Sequence, residues 1–302
     1  MNTAKPAAVP ASPRHRQSLW GLLVVLFKVR VVVLLLFAAV GGAFIATGGW
    51  PGVANLIVLL VTGGLAAAGA SAINQALERD LDARMERTRD RPLAARALPR
   101  SRWVVSAGVL MILLPALSVL PSNPALTIFL LGGATIYLGV YTIWLKPRTP
   151  LNIIIGGAAG SAAVLTGSAA AGSWNEPGAV ALALLVFLWT PTHFWSLAIA
   201  YRDDYARGGF PMLPVQTTPR AAAGWVLLHA SATVVAALAL GAHPAIGWPY
   251  LAPVAVGSAA LLALGLRLIA RPGKERALVL FHASNLYLAL VISMICINTL
   301  IP

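Results

Sequence analysis

Three oxygen-bearing side chains recur at a helical spacing where a long apolar segment gives way to a charged one. Asn74, Glu78 and Asp82 follow one another at intervals of four residues, so on a continuing α-helix successive members differ by only about 40° around the axis. They would then line one face of that helix. Amide and carboxylate oxygens suit Mg²⁺, which also takes phosphate oxygens from a substrate. The alternative is a solvated charged segment with ion pairs at i and i+4.

A second acidic element follows a later apolar segment. Asp204 lies in the stretch Tyr201–Tyr205, and we expect it on the same side of the molecule as Asp82. Two acidic elements that face each other across a helical bundle can hold a diphosphate through shared Mg²⁺ ions. The pattern therefore makes Asp204 a candidate partner of the first acidic element.

Basic residues show a matching internal repeat. Lys28 and Arg30 precede one apolar segment, and the similar pair Lys146 and Arg148 lies 118 residues further along. Asp82 and Asp204 are separated by 122 residues. Two halves, residues 19–145 and 146–302, would thus each supply one basic and one acidic element to a common site. The alternative is that each basic pair only anchors the membrane topology.

His193 is the most informative polar residue inside an apolar segment, where polar side chains are costly and often functional. It precedes Asp204 by eleven residues, so a regular helix would present both on one face, with the imidazole about 16 Å deeper. The interpretations are a haem ligand, a proton-transfer group, or a histidine that is merely hydrogen-bonded between helices. His229 and His282 compete for the same roles.

The elements that must position these residues are membrane-spanning helices. The chain has 302 residues, of which 59% are hydrophobic and 10% charged, whereas soluble proteins carry about 25% charged residues. Its one cysteine excludes a disulfide framework. Apolar runs long enough to cross a bilayer predict nine spans. The predicted spans are 29–46, 53–77, 103–121, 125–145, 151–171, 179–200, 222–241, 250–270 and 277–300.

The distribution of charge tests this topology. With a cytoplasmic N-terminus, all 22 Lys and Arg residues lie in or at the edge of the inside segments, as the positive-inside rule requires. The net charge of +13 is therefore mainly a topology signal and not a sign of nucleic-acid binding. Residues 1–18 are predicted to be a disordered cytoplasmic tail, and residues 19–27 a short interfacial helix.

Several segments resemble the UbiA superfamily of intramembrane prenyltransferases. The stretch Asn74–Pro92 is similar to the first acidic motif of that family, and Leu145–Thr149 matches a further family segment. His193–Trp195, Asp204–Tyr205 and Pro211–Pro214 resemble the second motif of the branch that farnesylates protohaem IX. The resemblance covers nearly everything after the N-terminal tail. The segments His193–Trp195 and Pro211–Pro214 separate this branch from quinone-type prenyltransferases.

The resemblance implies an all-α membrane protein of about nine helices around a central cavity, open to the cytoplasm, in a bacterial inner membrane. It implies transfer of a farnesyl group from farnesyl diphosphate to a vinyl group of haem B, and association with other proteins of haem biosynthesis or oxidase assembly. It also implies residue roles. Mg²⁺ would be bound by Asn74, Glu78, Asp82 and Asp204, the diphosphate by Lys28, Arg30, Lys146 and Arg148, and the haem by His193 and Trp195, with Asp82, Asp204, Lys146 and Arg148 as catalytic residues.

The chain departs from the family pattern at several positions. Glu78 stands where the family usually has Asp, and Val29, Ala163–Val164 and Thr192 replace prolines. Because these prolines would shape helix kinks near the acceptor, a quinone precursor or another tetrapyrrole is the nearest alternative substrate. A transporter and a non-catalytic haem-binding scaffold are alternatives from other classes. A transporter predicts broken helices at the bilayer midplane, and a scaffold needs no acidic metal site.

Overall fold

The computed structural model describes residues 18–98 and 101–301, and every regular element in these ranges is helical. The predicted tail, residues 1–18, lies outside this range except for Ser18. In chain order the elements are α1 (Leu19–Leu26), α2 (Val29–Thr47), α3 (Val53–Asp82), α4 (Ser101–Val119), α5 (Pro124–Thr135), a π-helix (Ile136–Leu145), α6 (Asn152–Gly156), α7 (Ala158–Ala170), α8 (Pro177–Ala200), α9 (Arg202–Arg207), α10 (Leu213–Gln216), α11 (Pro219–Leu240), α12 (Trp248–Ala270) and α13 (Lys274–Asn298).

The described residues contain nine helical segments that are long and apolar enough to cross a bilayer, which confirms the predicted number. Two of them are composite, because α5 continues into the π-helix and α6 adjoins α7. The largest difference is in α3, which ends at Asp82 rather than at residue 77. Its last turns are polar, so apolar composition does not detect them. The predicted interfacial helix is α1.

Exposed tryptophans mark both edges of the membrane-embedded region. Trp20, Trp103 and Trp144 lie at helix ends on the side of the charged loops, and Trp50, Trp174 and Trp248 lie at the opposite ends. Each is at least half exposed. Indole rings prefer the interface between lipid and water, so the two sets indicate where the bilayer surfaces meet the protein.

Glycines bring the helices around the site into close contact. A Cβ atom on Gly167 of α7 would lie 1.7 Å from the backbone oxygen of Ala39 in α2. A Cβ on Gly69 of α3 would lie 2.6 Å from the backbone oxygen of Gly108 in α4. Small residues allow such close approach, which is how membrane helices commonly pack. The contact of Gly69 with Gly108 holds α3, which carries the first acidic element, against α4.

Three of the helical segments change geometry close to the charged side of the bundle. The π-helix replaces the last turns of the fourth span, and a break at Gly157 separates α6 from α7. Tyr201 leaves helical geometry (φ −119°, ψ 34°) and separates α8 from α9. A shared helical face for His193 and Asp204 required a regular helix through both residues, and this break removes that condition. Asp204 is instead held by another segment of the chain, described below.

Candidate functional site

The three residues of the first acidic element form a buried ladder on α3, which we call the acidic ladder. Asn74, Glu78 and Asp82 are only 1%, 4% and 2% exposed, and the continuous helix through Asp82 places them on one face, as their spacing predicts. Buried carboxylates require compensation by charge or hydrogen bonds. The ladder is therefore a functional or structural centre and not a solvated helix end.

Each of the three residues of the acidic ladder binds one cationic side chain from a different part of the structure. Lys28 Nζ donates to Asn74 Oδ1 at 2.6 Å, and Lys146 Nζ lies 2.5 Å from Glu78 Oε1. Arg91 Nη1 lies 2.7 Å from Asp82 Oδ2. The ladder thus attracts positive charge along its length. The partner of Glu78 comes from a distant part of the chain, whereas the partner of Asp82 comes from the loop that follows α3.

Lys28 sits at the elbow between α1 and α2 in a left-handed conformation (φ 46°, ψ 48°), which is unfavourable for a residue with a side chain. Gln75 stabilises the elbow because its Nε2 donates to the carbonyls of Val25 and Leu26 at the end of α1, at 2.6 and 2.9 Å. Burial, followed by the nearby guanidinium of Arg91, lowers the pKa of Lys28 to about 7. Lys28 therefore changes its charge near neutral pH.

The two members of each predicted basic pair are placed differently. Lys146 is largely buried beside Glu78, with its ammonium 4.5 Å from the centre of the Phe210 ring. Arg148 is exposed and donates to the backbone oxygens of Ile143 and Trp144 at the end of the π-helix. Arg30 is also exposed, in the first turn of α2. The structure brings Lys28 and Lys146 to the acidic ladder but not Arg30 or Arg148.

Asp204 joins α9 to the loop that follows α3. Its carboxylate accepts hydrogen bonds from the backbone N–H groups of Glu86 at 2.7 Å and Arg87 at 3.1 Å, and Arg207 Nη2 lies 2.9 Å away. Burial acts to raise the pKa of Asp204, but the hydrogen bonds from Arg87, Glu86 and Arg207 outweigh it and leave the pKa below its ordinary value. Asp204 is thus ionised and connects α9 to the loop that follows α3.

The donor set of the acidic ladder fits Mg²⁺ chemically. An amide oxygen and two carboxylates are the hard oxygen ligands that this ion prefers, and the ladder already binds three cationic groups. Within residues 18–98 and 101–301, however, no group of three His, Cys, Asp or Glu side chains is close enough to hold a metal ion. Asp204 and the ladder are therefore not gathered around a single point in this arrangement.

His193 lies in α8 within an aromatic stack. Its ring is sandwiched between Trp189 and Phe281, with centroids 4.5 and 4.4 Å away, and its Nδ1 is 3.2 Å from Ser284 Oγ. Ser284 Oγ also lies 2.8 Å from the Phe281 carbonyl. When the Ser284 hydroxyl donates to that carbonyl, it accepts from His193 Nδ1–H, and in the neutral ring Nε2 then carries the lone pair.

Trp195 faces away from this aromatic stack. It is 1% exposed and packs edge-to-face on His229 of α11, with ring centroids 5.3 Å apart. Within the described part of the chain its indole N–H has no hydrogen-bond partner. The structure therefore does not bring Trp195 and His193, the two predicted acceptor contacts, to the same surface of α8.

A narrow cavity lies between α2, α8 and α13. Its wall is mostly apolar, and Phe37, Leu288, Trp189 and Asn285 are among the lining residues. Trp189 connects the cavity to the aromatic stack, since its indole N–H donates to the Ser284 carbonyl at 2.8 Å. Its free volume of about 20 Å³ is that needed by about one water molecule, so the cavity is too small for a prenyl chain in this arrangement.

The sequence analysis missed three residues that contact the acidic ladder or Lys28, namely Tyr137, Thr142 and Arg91, and a fourth, Gln75, that holds the end of α1 before Lys28. Lys28 Nζ donates to Tyr137 Oη (3.1 Å), and Asn74 Nδ2 donates to Thr142 Oγ1 (3.0 Å). Arg91 and Gln75 stand inside the first acidic segment, so attention to every polar residue there would have found them. Tyr137 and Thr142 carry no such signal, because only the π-helix turns them both toward α3.

The fold and the site define an intramembrane enzyme with a buried acidic ladder and lysines at one membrane face. Residues 34–289 match the UbiA prenyltransferase family. The chain belongs to this family and is a prenyltransferase embedded in a membrane.

The named relatives narrow the comparison further. The chain is 40% identical to "Protoheme IX farnesyltransferase 1" of Saccharopolyspora erythraea, over 98% of this chain and 97% of the relative. It is 38% identical to "Protoheme IX farnesyltransferase 2" of Paramagnetospirillum magneticum, over 91% of this chain and 96% of the relative.

Solved structures share the fold at low sequence identity. A digeranylgeranylglyceryl phosphate synthase superposes with a TM-score of 0.76 at 16% identity, over 92% of this chain and 97% of the other. A UbiA homolog from Archaeoglobus fulgidus bound to GPP and Mg²⁺ superposes with a TM-score of 0.62 at 18% identity, over 91% of this chain and 99% of the other.

Proposed function

We propose that this enzyme transfers the farnesyl group of farnesyl diphosphate to a vinyl group of haem B, giving haem O. The observation that carries the proposal is the buried acidic ladder of α3 with Lys28 and Lys146 bound to it. The relatives named protoheme IX farnesyltransferase support the choice of substrates. The site would face the cytoplasm of a bacterium, because the loops of this face carry the positive charge.

The ligands proposed for Mg²⁺ are Asn74, Glu78 and Asp82 on α3, with Asp204 on α9. When bound, the ion supplies Lewis-acid stabilisation of the negative diphosphate. The A. fulgidus homolog that shares the fold was solved with Mg²⁺, which supports this assignment. Binding of metal and diphosphate requires Lys28, Lys146 and Arg91 to move away from the acidic ladder. In the structure each of these side chains is bound to an oxygen atom of Asn74, Glu78 or Asp82.

The released lysines have an immediate new partner in the diphosphate. Lys28 and Lys146 would pair with its oxygens, with Arg30 and Arg148 contributing attraction from the exposed rim. The bond between the allylic carbon and the diphosphate oxygen then breaks, and both electrons leave with the diphosphate. Cations held in place beforehand stabilise that developing charge without reorganisation.

The apolar interior would protect the allylic cation from water until the vinyl group attacks. The vinyl π electrons form the new carbon–carbon bond, which leaves a cation on the other vinyl carbon. Water adds there and loses a proton, giving the hydroxyethyl group. His193 is the proposed haem contact through its Nε2 lone pair, and Trp195 would support α8 from its buried side.

The test is a turnover assay with purified protein, farnesyl diphosphate and haem B, in which product mass is followed with and without a chelator. We expect a farnesylated, hydrated haem that disappears when Mg²⁺ is removed. Release of diphosphate with unmodified haem would instead leave the prenyltransferase class intact and point to another acceptor. Formation of the product at full rate in excess chelator would refute the metal assignment.

A further inference from the structure

We propose that Thr142 is a positioning residue that orients the side-chain amide of Asn74, so that the amide oxygen faces the cation site. The proposal rests on the proposed function, because it takes Asn74 as a ligand of Mg²⁺. It adds a residue that contacts neither substrate nor metal but decides which end of a ligand is presented to them.

The orientation follows from counting hydrogens. Thr142 has one hydroxyl hydrogen, which it donates to the backbone oxygen of Tyr137 at 2.8 Å. Its oxygen can therefore only accept from Asn74, and the atom that donates to it at 3.0 Å is Nδ2. The amide nitrogen is thus held on the Thr142 side, and Oδ1 points toward Lys28 Nζ. A rotated amide would present hydrogens to a cation.

Lys28 alone cannot maintain this orientation during the reaction. Its ammonium selects the Oδ1 end of Asn74 in the present arrangement, but it competes with Mg²⁺ for that same oxygen. When Lys28 moves to the diphosphate, the remaining restraint on the Asn74 amide is the bond from Nδ2 to Thr142. Groups behind a metal ligand commonly set its orientation and influence metal affinity.

The π-helix makes this arrangement possible. In an α-helix a threonine hydroxyl bonds to the carbonyl three or four residues earlier, whereas Thr142 bonds to the carbonyl five residues earlier. Tyr137 and Thr142 would be about 140° apart on an α-helix. The i→i+5 geometry brings both to α3, where Thr142 is 6% exposed. The π-helix therefore fixes the direction of the Thr142 hydroxyl, and this hydroxyl in turn fixes the orientation of the Asn74 amide.

The experiment compares Thr142→Val, which keeps the shape but removes the hydroxyl, with Thr142→Ser, which retains it. The matched control is Thr62→Val, since Thr62 is a similarly buried residue of α3 whose hydroxyl donates to the Val58 carbonyl of its own helix. Asn74→Ala reports the loss of the ligand itself. The readout is binding of farnesyl thiodiphosphate, which ionises poorly, at increasing Mg²⁺ concentration, together with the unfolding temperature without Mg²⁺.

We expect Thr142→Val to raise the half-saturating Mg²⁺ concentration about tenfold to a hundredfold, while Thr142→Ser and Thr62→Val stay near the parent protein. If Asn74→Ala raises it and Thr142→Val does not, the positioning role is refuted and the proposed metal site survives. If Asn74→Ala has no effect, Asn74 is not a ligand; its assignment and the role of Thr142 then fail, while the proposed farnesyl transfer remains to be judged by the turnover assay. An equal shift in Thr62→Val would show a general packing effect and would also refute the role of Thr142.

Discussion

Replacing Lys146 and Arg148 separately by methionine gives two variants whose sequence changes look alike and whose expected effects differ. Lys146 is bound to the acidic ladder at Glu78, whereas Arg148 is exposed and holds backbone oxygens. Removing one preorganised charge from a leaving group costs about 10²–10³ in kcat, which we expect for Lys146→Met. For Arg148→Met we expect at most about a fivefold loss, since exposed charges contribute about 0–1 kcal/mol.

The stability of the Lys146 variant must be separated from its activity. The side chains of Lys146 and Glu78 are 12% and 5% exposed, so Lys146→Met leaves a buried carboxylate without its partner. Breaking such a pair costs about 3–5 kcal/mol of unfolding free energy. Adding Glu78→Gln removes the unpaired charge, and we expect the double variant to recover much of this stability but not its activity.

The assay is single-turnover release of diphosphate by purified protein, with thermal unfolding followed on the same samples. Lys146→Arg serves as the charge-retaining control, which we expect to lie between the parent protein and Lys146→Met because its planar guanidinium binds in a different geometry. The reasoning is refuted if Arg148→Met loses as much activity as Lys146→Met. It is also refuted if the stable double variant regains the parent rate.

Three further outcomes follow from the structure. Asp82→Ala should abolish turnover through loss of a proposed metal ligand, whereas Asp80→Ala, an exposed change on the same helix, should leave turnover and membrane insertion nearly unchanged. Because the pKa of Lys28 is about 7, binding of farnesyl diphosphate at pH 8 should be accompanied by uptake of a proton, and the affinity should fall as pH rises through 7. Calorimetry in buffers of different ionisation enthalpy measures this uptake, which Lys28→Arg should lose. Gly167→Ala should destabilise the protein by about 1–3 kcal/mol, since the new Cβ overlaps a backbone oxygen of α2. Gly132→Ala, whose Cβ enters open space, should not destabilise it, and thermal unfolding measures both variants.

The membrane fold could be predicted because its determinants are local. Each span is specified by a run of apolar residues long enough to cross a bilayer, and nine such helices are found among the described residues. The direction of the spans, inferred from the basic loops, stays a prediction. The acidic ladder was also predictable, since a four-residue interval places Asn74, Glu78 and Asp82 on one face of any continuing helix. None of these inferences needed a contact between distant residues.

The pairing within the site could not be predicted in the same way. Sequence treats Lys28 with Arg30, and Lys146 with Arg148, as equivalent members of basic pairs. Which one turns inward depends on the elbow at Lys28 and on the π-helix before Lys146. The break at Tyr201 has a similar origin, because α9 follows the contacts of Asp204 with the loop after α3 and not the helical direction of α8.

These pairings also connect the two halves of the chain through the residues proposed for catalysis. Lys146 of the second half binds Glu78 of the first, and Asp204 of the second half holds the backbone at Glu86 and Arg87 of the first. The charges that hold these parts of the chain together are therefore the ones proposed to bind substrate. In the structure the lysines offset the cost of burying the ladder; in the proposed complex, Mg²⁺ and diphosphate would compensate both sets of charges. Stability and activity are consequently coupled at this face, and variants there have to be judged by both measurements.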